Sequence, residues 1–110
     1  MLKLVPNPTF KHPVAIPVPG EKPKKVEFVF KHKKKSELNE FFKEAAVSAD
    51  DAKLLEIVAG WKKSSTDGDN GLDTEFSDES FVDFLQNYPG AGSAIFDGYV
   101  EAMTKGRQGN

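Results

Sequence analysis

Between residues 10 and 18 the chain reads Phe-Lys-His-Pro-Val-Ala-Ile-Pro-Val, and the even positions Phe10, His12, Val14, Ile16 and Val18 make one mostly apolar face at period two. That pattern predicts a strand. Pro13 and Pro17 both fall on odd positions, so the two missing N–H groups lie along one side, which makes this an edge strand. Residues 26–32 alternate again, with Val26, Phe28 and Phe30 on one face. The turn-rich stretch 19–24 between them predicts a hairpin. Matching the two apolar faces while keeping the prolines out of the ladder favours the pairs Val18 with Val26, Ile16 with Phe28, Val14 with Phe30 and His12 with His32.

Beyond Lys35 the period becomes helical. Ser36 is the expected N-cap of a first helix, with Glu37 in its first turn and Leu38, Phe41, Phe42 and Ala45 on one face. Ser48, with Asp51 three residues on, predicts the start of a second helix reaching about residue 59. It carries Ala52, Leu55, Val58 and Ala59 on one side and ends at Gly60. The polar, turn-rich stretch 63–74 reads as an exposed loop. Phe76 before Ser77, with Phe81 four helical positions on, has the spacing of a hydrophobic staple for a third helix with Phe81, Phe84 and Leu85 inward. Tyr88-Pro89-Gly90 breaks it, and a fourth helix from residue 89 or 90 to 104 carries Ala91, Ile95, Tyr99 and Ala102. There is no internal repeat. The expected fold is α+β: an N-terminal antiparallel β-hairpin packed on a bundle of three to four helices. It is one domain over 1–110, with 1–9 and 105–110 as loose ends and 63–75 as an exposed loop.

Composition narrows the function classes. A chain of 110 residues buries about 65% of its extended surface, enough for one core but not for a core plus a deep substrate cavity. Nine phenylalanines supply that core, and 29% charged residues keep the remainder hydrophilic. No apolar run approaches the roughly 20 residues of a membrane span and the first residues do not form a leader, so a cytoplasmic location is expected. The absence of cysteine removes disulfides, thiolate nucleophiles and cysteine zinc sites. Residues 1–35 hold nine lysines against two glutamates, a net charge of +7, whereas residues 36–110 hold six basic and fifteen acidic side chains, a net charge of −9. Such segregation suits two solvated faces, anion binding through the N-terminal part, or association with further copies.

The candidate chemistry is sparse. The stretch from Asp67 to Glu75 concentrates oxygen ligands, but an EF-hand is rejected: counted from Asp67, position five is Gly71, position six is Leu72 and position twelve is Asp78. A solvated loop accounts for it better. His12 and His32, side by side in the predicted register, would form a strand-end surface pair, and no third nitrogen or thiolate ligand exists to close a metal site. No serine sits in a nucleophile elbow, so no catalytic residue, cofactor site or metal site is assigned and a non-enzymatic protein is expected. Lys31-His32-Lys33-Lys34-Lys35 after the Phe-rich strand leaves a small nucleic-acid-binding regulator as the alternative function, although Phe28 and Phe30 fit a core better than a stacking platform. The last helix is apolar over a broader arc than a core requires. Phe96, Val100 and Met103 form a second stripe at i, i+4, i+7, either deeply buried or kept for a partner; Trp61 is a further candidate contact.

The order of segments then becomes informative. The Pro-rich strand comes first, then Val26-Glu-Phe-Val-Phe-Lys-His running into Ser36-Glu37-Leu38 with Phe41-Phe42. Ile57-Val58-Ala59-Gly60-Trp61 and Phe76-Ser77-Asp78-Glu79 come next, and Asn87-Tyr88-Pro89-Gly90-Ala91 leads to Ala94-Ile95 and Tyr99. This succession, over nearly the whole chain from about Pro6, resembles the tail assembly chaperones of tailed bacteriophages and prophages. The 63–73 loop departs from it, being longer and more polar than that family's connection. The resemblance implies a non-enzymatic protein of the bacterial host cytoplasm that coats the long, apolar, helical tape measure protein before the tail tube polymerises around it.

Overall fold

The structure is a computed structural model that describes residues 1–47, 50–66 and 68–105. In chain order it contains β1 (Thr9–Ile16), β2 (Lys24–Lys31), α1 (Lys35–Val47), α2 (Asp51–Leu55), β3 (Val58–Trp61), α3 (Asp78–Asn87) and α4 (Ala91–Lys105). The fold is α+β: a three-stranded antiparallel sheet in the order β1-β2-β3 with the four helices packed against it. The even face of the hairpin is buried as its alternation requires, with Phe28 and Phe30 wholly enclosed.

The hairpin register differs from expectation by four residues. Phe10 pairs with Phe30, His12 with Phe28, Val14 with Val26 and Ile16 with Lys24. The shift preserves which residues face inward, so the apolar faces still match. Its cause is the turn. The Glu21 N–H donates to the Val18 carbonyl at 3.0 Å, and Gly20 has φ of +78°, so Pro19-Gly20 occupies the two central positions of a type II turn. Val18 is held in that turn and cannot reach Val26. His12 is therefore buried across from Phe28 and well removed from His32, not half of a surface pair.

The edge assignment stands on hydrogen bonds. The Glu27 N–H donates to the Asn70 carbonyl, its own carbonyl accepts from Lys62, and the Lys31 N–H donates to the Ile57 carbonyl. The odd positions of β2 thus face β3 and the loop, which makes Pro13–Glu27 a pair without ladder bonds. Pro13 turns its missing donor outward along β1, the outer strand.

The second helix is much shorter than its spacing suggested. Its N-cap is Asp50, whose Oδ1 accepts the Lys53 N–H at 3.0 Å, and it ends at Leu55; Ser48 lies outside the described residues. Ile57 and Val58 leave the helix to pair beside β2, where they are 0% and 1% exposed. Burial on a free sheet edge outweighs helical spacing for these β-branched residues. Leu54 and Ile57 are buried, whereas Ala52 and Ala59 of the expected inward face are exposed. Gly60 pairs with Val29 instead of stopping a helix, and Ala59 is the extra residue of an irregularity opposite Val29 and Phe30.

The other helix ends obey local chemistry. Helix α1 begins at Lys35, so Ser36 lies inside it; Glu37 at the third position reaches back to accept the Lys34 N–H at 2.8 Å. Helix α3 has the expected start, with Ser77 and Ser80 exchanging capping bonds and the Phe76 and Phe81 rings 5.8 Å apart. Lys105, expected in a loose end, is the last residue of α4; residues 106–110 lie outside the described residues. The 63–74 loop is anchored through Ser64, Asn70 and Leu72. Ser64 is buried, its N–H donates to the Leu72 carbonyl, and the Leu72 N–H donates to that of Lys62.

Candidate partner-binding surface

Helix α4 runs over β1 at close range because Gly98 lacks a side chain: a Cβ there would fall 2.8 Å from Val14 Cγ2. This contact sets the rotation of the helix. Ala91, Ile95 and Tyr99 point into the core with no measurable exposure, and the Tyr99 hydroxyl donates to the Lys31 carbonyl at 2.9 Å. Burial, and after it the charge of Glu37, pushes the Tyr99 phenol up to about 12.

The adjoining row is less covered. Phe96, Val100 and Met103 are all half-buried, so the stripe is neither deep core nor free surface. Phe96 lies 6.0 Å from the Phe41 ring and 6.1 Å from the Phe42 ring, which join α4 to α1. Phe42 and Leu38 are themselves half-buried, and with Met103 they extend the partly covered apolar area. On its other side Phe96 forms one wall of a groove of about 400 Å³ between α2, α3 and α4, whose floor is Leu54 and Leu85. Gly92 leaves that floor open.

The frame around the groove is braced by charge. Lys53 bridges Glu44 of α1 at 2.6 Å and Glu56 at 2.9 Å, and these bonds raise the Lys53 ammonium above its ordinary value. Glu44 is lowered by the hydrogen bond and charge of Lys53. The contact fixes α2 relative to α1 at an exposed position, where such pairs stabilise little.

The remaining candidate residues lie elsewhere. Trp61 is 7% exposed; its Nε1–H donates to the Thr74 carbonyl at 2.8 Å, and its ring meets Phe28, Phe76, Phe81 and Phe84. It belongs to the core and is not gathered with the α4 row. The rings of Phe28 and Phe30 are buried, so neither offers a base-stacking platform. In the acidic loop, Asp69 accepts from Lys62 and Ser64, which hold its carboxyl below the ordinary value; Asp67 lies outside the described residues. Among the described residues no group of three or more His, Cys, Asp or Glu is placed to hold a metal ion, and no helix is long and apolar enough to cross a membrane. Sequence reasoning placed Leu85 inward, as it is, but missed Leu54 and Gly92 and their meeting with Leu85 in the groove. Only Gly92, four residues before Phe96 and thus on the same helical side, carried a linear signal.

The chain is thus a small α+β module with a half-covered apolar row on its last helix. A family model described as phage tail assembly chaperone matches residues 1–110, and the chain belongs to that family. No curated protein and no solved structure matches it.

Proposed function

We propose that this chain binds the tape measure protein during tail assembly, in the cytoplasm of the bacterial host and without catalysing a reaction, and that Phe96, Val100 and Met103 form the contact. The observation that carries the reading is the half-buried row on α4 opening into the groove beside Leu54 and Leu85. A helical apolar segment laid along the row would remove from water the ring and methyl surface that packing within the chain leaves uncovered. Membership of a tail assembly chaperone family supports a tail protein as the partner.

Phe96→Asp tests the reading. Because Phe96 is only half-buried, the variant is expected to fold, and to lose about 2–4 kcal/mol of association with the tape measure protein. Circular dichroism melting beside co-purification with that protein measures both. A folded Phe96→Asp variant that binds fully removes the row from the interface; if Phe96→Asp unfolds, Val100→Asp on the same row serves as the second variant, read in the same way.

A further inference from the structure

We infer that the segment which occupies the groove between α2, α3 and α4 is an amphipathic helix of about three turns whose apolar stripe is flanked by lysine or arginine. This rests on the binding role proposed above and specifies the chemistry of the partner. Length comes from the row itself: Gly92 to Met103, at 1.5 Å per residue, spans on the order of 16 Å. The apolar stripe is dictated by the half-buried Phe96, Val100 and Met103, with Gly92 leaving the side of the groove next to Leu54 without a side chain.

The flanking charge follows from the acids on and next to the groove. Asp51 lines the groove, and no residue lining it is basic. Asp97 and Glu101 follow Phe96 and Val100 in α4, about 100° further round the helix from each. Among the described residues none of these three carboxylates forms an ion pair, whereas Glu44 and Glu56 share Lys53 and Asp69 is paired with Lys62. Lys43, on the residue after Phe42, is paired with Glu40 at 3.7 Å. Carboxylates elsewhere, such as Glu27, Glu75 and Asp83, form no ion pair either, but here the groove joins an acid to an apolar wall with no base, and a partner helix would bring its own flanking side chains there and exclude water. A glutamate-flanked helix would meet like charge there.

The test uses the full chain and two fluorescent synthetic peptides of about 20 residues with the same apolar stripe, one with Lys and one with Glu at the flanking positions, at about 50 and about 500 mM salt. The Lys-flanked peptide is expected to bind about tenfold more tightly at low salt, with the margin shrinking at high salt. Asp51→Asn with Asp97→Asn should remove most of the margin. Glu21→Gln with Glu75→Gln, an equal change in net charge at the hairpin turn and loop, should preserve it. Equal binding of the two peptides overturns the inference and leaves the apolar contact standing, as does a margin lost equally in both double variants. Failure of both peptides to bind at either salt overturns the inference and the binding surface together.

Discussion

Trp61 and Phe96 are both large aromatic residues on elements that border the core, yet they have opposite surroundings. Four aromatic rings meet Trp61, its indole N–H is satisfied by Thr74, and the staple residue Phe76 closes over it edge-on at 5.1 Å. Phe96 has two ring partners, both on α1, and is only half-buried. The difference lies in the course of the backbone beyond each residue. After Trp61 the chain comes back to place Thr74 and Phe76 on the indole; after Phe96 the helix continues to Lys105. Trp61 is buried by a segment that returns over it, and the less covered Phe96 is the one proposed above to meet another molecule.

This contrast is most exposed by truncation. Trp61→Ala should cost about 3–5 kcal/mol, whereas Phe96→Ala should cost about 1–2, and chemical denaturation of the two variants reads both numbers. Equal losses would erase the distinction between the regions. Tyr99 lies between them, touching Phe10, Phe30 and Phe41, and it titrates in the folded chain only near 12 against an ordinary value of 10.0. Unfolding therefore releases a proton between those values, so stability is intact below pH 10 and falls as pH rises toward 12, by up to about 2 kcal/mol. Tyr99→Phe should flatten that decline in melts recorded across the same range, and an unchanged slope would place the alkaline loss elsewhere. The smallest effect concerns the staple: Ser77→Ala should cost about 1 kcal/mol, measured as a lowered denaturation midpoint. An unaltered midpoint would show that Phe76 closes over Trp61 without help from the cap.

What could be read from the sequence was what neighbouring residues decide. The Ser77 cap with its Phe76–Phe81 staple, the inward face of β2 and the two sides of α4 are all set by spacings of two to seven residues. The hairpin register failed because two apolar faces of equal parity match equally well four residues apart, and the Pro19-Gly20 turn made the choice. β3 failed because Leu55, Val58 and Ala59 also fit a helical spacing, and only the presence of a free edge on β2 favours the extended form at Ile57 and Val58. The row of Phe96, Val100 and Met103 was legible, but the groove beside it was not, since Leu54, Leu85 and Gly92 come from three helices that no linear pattern relates.

Pro13 also shapes the outer edge of the sheet. Pro13 sits mid-strand with its ring where a neighbouring chain would seek a donor, and Lys11 beside it adds a charge to the same outward edge. A second chain that laid a strand there would find the ladder interrupted at its centre, which disfavours edge-to-edge pairing of two copies into a continuous sheet.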